Sequence, residues 1–335
     1  MSDGVGVSEA LPPAASEQPR RPEAIKAVPL KHPWRWVSAV IVLLITAELV
    51  YTIVTAPGLH WDIFAHYLGQ GLILQGVLAT LELTVLAMVI GVVLGIILAV
   101  MRLSPNPVVS MVSWFYIWFF RGTPVLVQIF FWFNLNTVLK DIGIGIPFTH
   151  LGIQASTNSV ISPFLAVILG LGLNEAAYMA EIVRAGIISV EQGQTEAAQA
   201  LGMRRLQVMR RIVLPQAMRV IIPPTGNETI SMLKTSSLAF IAAYPELFTR
   251  AEQIASVNFA IIELLFVASA WYLLMTSVLT FGQYYVERYF ARGSQRELPP
   301  TPLQRFRRML FTFHAPPPTG DVVVSVPGMQ HGGAR

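Results

Sequence analysis

Six apolar runs constrain this chain before anything else does. They cover residues 36–56, 75–101, 108–137, 161–188, 219–244 and 261–286. About 20 apolar residues suffice to cross the hydrocarbon of a bilayer as a helix. In lipid a helix satisfies its own backbone N–H and C=O groups, whereas an open strand cannot. The runs therefore predict an all-α integral membrane protein with about six transmembrane helices. Composition agrees, with 54% apolar and 13% charged residues, against about 25% charged in soluble domains. Without a cysteine the chain has no disulfide and no thiolate chemistry, and its compartment stays undecided on that ground.

The flanks are different. Residues 1–33 are rich in Pro, Ala and Glu and predict a disordered cytoplasmic arm. The first run lies too far in, and is too long, for a cleaved leader, so 34–58 is expected to be a retained anchor helix. Residues 289–335 hold Arg-rich and Pro-rich pieces and predict a mostly disordered cytoplasmic tail. The Gly-rich, polar stretch 140–159 is expected to be a loop. In the second run Ala87, Gly91, Gly95 and Ala99 recur every four residues, a small-residue seam that lets another helix approach closely.

Charge sets the orientation. With the N-terminus inside, 20 of the 23 Lys and Arg residues fall on inner segments. Only Lys140 and Arg250 fall outside, and Lys234 lies within a span. This bias places both termini in the cytoplasm. The net charge of +4 thus records topology. The arginines are spread along loops with no aromatic-basic reading module, so no nucleic-acid partner is expected. The histidines show no metal-ligand spacing, and no serine or cysteine nucleophile constellation is present.

The fifth run, RVIIPPTGNETISMLKTSSLAFIAAY, is unusually polar. Asn227, Ser231 and Lys234 recur at i, i+4 and i+7 and share one helical face. Such residues are tolerated where a helix meets protein or a watery cavity. Two readings follow, a pathway-lining helix or a polar seam with Lys234 in an ion pair.

The inner stretch EAAQALGMRRLQVMRRIVLP, residues 196–215, predicts two helices. Thr195 is a good N-cap, Glu196 suits the first turn, and Gly202 can end the first helix in the left-handed conformation. A second helix is expected over 204–214, ending at Pro215, with Leu206, Met209 and Val213 on its apolar face. The first helix is too short to stand alone in water. It is either a knob docked on a partner or an amphipathic connector on anionic lipid.

Glu196, Ala197, Ala198, Gly202 and then Ile212, Leu214 and Pro215 resemble the EAA loop in membrane subunits of bacterial ABC importers. WFFRGTPVLVQIFFWF (118–133), AAYMAEIVRAGIISVEQGQTEAAQALG (176–202), LPQAMRVIIPP (214–224) and LKTSSLAFIAAYPEL (233–247) are similar to the polar amino-acid uptake permeases. The resemblance spans 75–288, with a coupling loop at 189–215; the anchor helix is extra to its five-span core. It implies a multi-pass protein of the bacterial inner membrane. Glu196, Ala197, Ala198, Gly202, Arg204 and Arg205 would meet a separate cytoplasmic ATPase, which would bind the ATP-Mg. No GxxxxGK[ST] phosphate loop occurs in this chain, and it is expected to bind no cofactor itself and to be no enzyme. A periplasmic or lipid-anchored solute-binding protein and a second permease, identical or paralogous, would complete the assembly.

An amino-acid zwitterion at bilayer depth needs partners for both charges. Lys234 could meet the carboxylate, and Glu175, Glu181 or Glu228 the ammonium. Glu181 has a competing partner in Arg184, three residues on, and Glu175 is preferred over Glu228. The expected pathway set is Glu175, Asn227, Glu228, Ser231 and Lys234. The alternatives are import of another small solute, or a lone ion-coupled carrier or intramembrane enzyme.

Overall fold

A computed structural model describes residues 33–145 and 152–290. Apart from their junctions with the first and last helices, the expected disordered arm and tail lie outside the described residues. Helix α1 (Pro33–Val54) is apolar and uncovered along 36–54. Among the described residues, those up to Val50 group apart from those from Tyr51 on, and the second group holds everything below.

That core runs through α2 (Trp61–Leu68), α3 (Gly71–Arg102), α4 (Pro107–Gly122), α5 (Val125–Phe133) and the one-turn α6 (Leu135–Val138). Strands β1 (Asp141–Gly145) and β2 (Gly152–Ser156) and the one-turn α7 (Thr157–Val160) follow, then α8 (Pro163–Ile188). The inner stretch comprises α9 (Gln192–Ala200), α10 (Arg205–Val208) and a π-helical segment, Met209–Val213. Helix α11 (Leu214–Thr235), a 3-10 segment (Ser236–Ala242), α12 (Leu247–Asn258) and α13 (Ile261–Phe290) complete it.

Among the described residues, four helices are long and apolar enough to cross a membrane: α1, α3, α8 and α13. The third and fifth expected spans are present in altered form. The third breaks between α4 and α5 because Pro124 has no N–H to give and drives Thr123 into an extended conformation, φ −113° and ψ 142°. The break exposes backbone that lipid cannot satisfy, and side chains from two helices take it up. Gln128 Nε2 donates to Phe120 O at 3.0 Å and to Thr123 O at 3.1 Å. Asn174 Nδ2 donates to the same Phe120 O at 2.8 Å. The fifth begins earlier than expected, at Leu214, and carries Pro223 and Pro224 inside α11. The expected loop at 140–159 holds a small antiparallel pair, Asp141 opposite Ser156 through Gly145 opposite Gly152.

The core is organised by the α3–α8 seam. Ala87, Gly91, Gly95 and Ala99 are all buried. A Cβ on Gly91 would collide with Glu175 Cγ, and one on Gly95 would lie 2.5 Å from Met179 Cβ and 3.0 Å from Ala180 N. The four-residue spacing is thus a packing device. At the end where α3 begins, α12 is pinned by Glu246, which is fully buried. Its carboxylate accepts from Phe248 N at 2.9 Å, Thr249 N at 2.7 Å and Tyr272 OH at 2.9 Å.

The seam predicts an asymmetry between glycines. Gly95→Val meets the α8 backbone, which cannot give way, so it should destabilise by about 1–3 kcal/mol or more. Gly282→Ala, in α13 with nothing near its Cβ position, should be neutral or gain up to about 1 kcal/mol. Thermal melting of the two variants in one detergent checks this, and equal melting temperatures would refute the seam.

Candidate functional site

The inner stretch forms a small structured knob. Helix α9 begins at Gln192, earlier than expected, and Thr195 does not cap it. Thr195 lies inside the helix, its Oγ1 donating to Gln192 O at 2.7 Å, while Gln192 Nε2 supports the first turn by donating to Glu196 Oε1 at 2.9 Å. The stop is where expected: Gly202 has φ +81°, its N–H donates to Gln199 O at 2.9 Å, and Met203 N–H donates to Ala198 O at 3.2 Å.

The second half departs from expectation. A separate helix over 204–214 ending at Pro215 is not observed. The chain passes from α10 through the π segment directly into α11, with Pro215 in its first turn. Proline lacks an N–H and its ring crowds the carbonyl four residues back; the wider π turn accommodates both.

Ala198, Val208 and Val213 are buried together, flanked by Ile187, Val190, Met203 and Ile212. Gln216 Nε2 donates to Gln194 Oε1 at 2.6 Å, tying α9 to α11. Only Val213 of the expected apolar face is buried; Leu206 is 73% exposed. Glu196, Ala197, Gly202, Arg204 and Arg205 are all exposed. Leu201, which the sequence reading does not single out, is 85% exposed and joins Leu206 on the outer surface. Two leucines flanking a helix-ending glycine were the available signal. The knob therefore presents the Glu196 carboxylate, the guanidinium groups of Arg204, Arg205, Arg210 and Arg211, and two leucines from a framework held by its own small core.

On α11, Asn227, Ser231 and Lys234 are exposed along one face. Asn227 Oδ1 accepts from Gln283 Nε2 at 2.9 Å. Lys234 makes no ion pair among the described residues. Glu228 is half-buried. Glu175 stands elsewhere, in the α3–α8 seam behind Gly91. It is 3% exposed, and its Oε1 is buried without a hydrogen-bond partner. The structure thus sets Asn227, Ser231 and Lys234 on one surface of α11 and Glu175 apart from them, in the α3–α8 seam. A buried carboxylate with an idle oxygen is costly and suits a site that meets a cationic group.

Glu181 takes its competing partner: Arg184 Nη2 lies 2.7 Å from Glu181 Oε2. The Arg121 guanidinium lies over the Tyr178 ring, 5.0 Å from its centroid. Among the described residues no group of three His, Asp or Glu side chains is placed to hold a metal.

Residues 91–292 match the family described as binding-protein-dependent transport system inner membrane component. The arginine transport system permease protein ArgU of Corynebacterium glutamicum is 48% identical over 279 residues, covering 83% of this chain and 87% of that one. The nopaline transport system permease protein NocM of Agrobacterium fabrum is 38% identical over 212 residues, covering 62% and 83%. Among solved structures, an amino acid ABC transporter crystallised with histidines matches at 35% identity and a TM-score of 0.56, covering 65% of this chain and 94% of that one. The MetNI methionine ABC transporter matches at 17% identity and a TM-score of 0.52, a likeness of fold. The chain belongs to the family of binding-protein-dependent transport system inner membrane components.

Proposed function

We propose that this chain is the membrane-spanning permease subunit of an ATP-driven importer, forming the path for a polar amino acid and coupling it to a separate cytoplasmic ATPase. The observation that carries the reading is the knob. It is held by its own core yet offers Glu196 of α9, and Leu201, Arg204, Arg205 and Leu206 after it, outward. A carrier or enzyme acting alone has no use for such a surface. In this reading the knob seats in a groove of the ATPase, where ATP-Mg is bound. The knob and both termini are cytoplasmic, as the basic bias implies. A solute-binding protein delivers the cargo on the other side, and a second permease, identical or paralogous, closes the path.

We favour a cationic amino acid as cargo. Two observations support this: a relative that covers 83% of the chain is an arginine permease by name, and Glu175 has an idle buried oxygen. Lys234, on the exposed face of α11, is free to meet the cargo carboxylate, with Asn227 and Ser231 beside it.

Replacing Glu196 by Arg should abolish ATP-driven uptake while the protein still inserts and folds. The assay is uptake into proteoliposomes beside a pull-down of the ATPase; wild-type uptake by the variant refutes the coupling role. Glu175→Gln and Lys234→Met should each lower uptake of arginine by roughly ten-fold, the loss of one charged hydrogen bond. ATPase association should stay intact in both. Unchanged uptake in both variants would remove these residues from the path and leave the knob assignment standing.

A further inference from the structure

At the end of the core away from the knob, α2 and α12 enclose a recess of about 280 Å³. Its position follows from packing. Helices α3 and α8 run side by side in the same sense, Gly91 on Glu175 and Gly95 on Met179, so the knob lies past their C-terminal ends. The start of α12 touches the start of α3, Leu247 against Gly76.

Most of the recess wall is apolar, from Leu72, Ile254, Val257 and the Tyr67 ring. Its polar groups are Arg250, Gln253 and Asn258. Arg250 is one of only two cations on the segments expected at this side of the membrane, Lys140 being the other. Its Nη1 donates to a neutral acceptor, Gln253 Oε1, at 3.2 Å. Its Nε is buried without a partner. No carboxylate among the described residues pairs with it: the nearby Glu246 is occupied by Phe248, Thr249 and Tyr272. Tyr67 OH accepts from Asn258 Nδ2 at 3.1 Å, which leaves the phenolic hydrogen available to donate.

The recess therefore offers a guanidinium group with no carboxylate partner and a hydroxyl donor beside apolar walls. A guanidinium fork matches the oxygens of a phosphate. The apolar walls match what a phosphate in a membrane is attached to. Val257, 79% exposed, and Leu72 stand where a glycerol and the first methylenes of an acyl chain would cover them. Helix α2 carries Trp61 and Tyr67, and Trp271 Nε1 donates to Leu68 O at 2.9 Å; aromatic side chains of this kind settle at headgroup level.

We propose that this recess binds a membrane phospholipid, with Arg250 and Tyr67 holding its phosphate. The inference does not depend on which leaflet faces the recess.

The test is native mass spectrometry of the assembled transporter in mild detergent, followed by back-titration of the delipidated protein with phosphatidylglycerol. The wild type should retain phospholipid and take up phosphatidylglycerol. Arg250→Gln should bind it roughly five-fold more weakly, the loss of one basic contact. Val257→Asp puts a carboxylate at the exposed mouth without touching the core and should weaken binding similarly at an unchanged melting temperature. Full phospholipid binding by both variants overturns the proposal. So does protection by inorganic phosphate alone, which would make the recess a small-anion site. Unchanged phospholipid binding with lost affinity for the solute-binding protein would overturn it in favour of a protein carboxylate as the occupant.

Discussion

The core depends on α3 and α8 touching backbone to backbone. Lipid tails are as apolar as leucine, so burial of apolar surface cannot draw helices together in a membrane as it does in water. Close van der Waals contact has to serve instead, and two glycines without side chains permit it. At Gly91 and Gly95 the facing helix occupies the volume a methyl group would need. The same proximity puts Glu175 in the seam and brings Asn174 within reach of the broken end of α4. Packing and the candidate path are therefore set by one contact.

Backbone satisfaction is the second constraint, and it explains the irregular elements. The chain interrupts the third span at Pro124, and each interruption in lipid leaves carbonyls that water cannot reach. Gln128 and Asn174 meet at Phe120 O for that reason. The knob handles the same problem at the water side with Gly202 and a π turn.

Much of this was legible in the sequence. Apolar run length marked the spans, the spacing of Ala87, Gly91, Gly95 and Ala99 marked the packed face, and the contrast between Gly202 and its helical neighbours marked the stop. Three things were not legible, each for a physical reason. Helix α9 starts before Thr195 because a Gln192–Glu196 side-chain bond can support a first turn as well as a cap can. Pro215 was read as a terminator, but a proline is also tolerated in the first turn of a helix, and periodicity does not distinguish the two when a π segment shifts the phase. Glu175 and the Asn227–Lys234 stripe could not be ranked by depth, because one lies in a seam between helices distant in sequence and the other on an uncovered face.

Helix α11 is continuous with the π segment, so Met209 to Thr235 form one rod of roughly 40 Å at 1.5 Å per residue. The rod has no loop between the knob and Lys234. Pro223 and Pro224 sit near its middle and cannot supply the two amide bonds that would stiffen it there. These two positions are therefore the least braced part of the rod. In the proposed importer a rotation at the knob would travel along the rod axis to Asn227, Ser231 and Lys234, and a sideways displacement would be taken up at the two prolines.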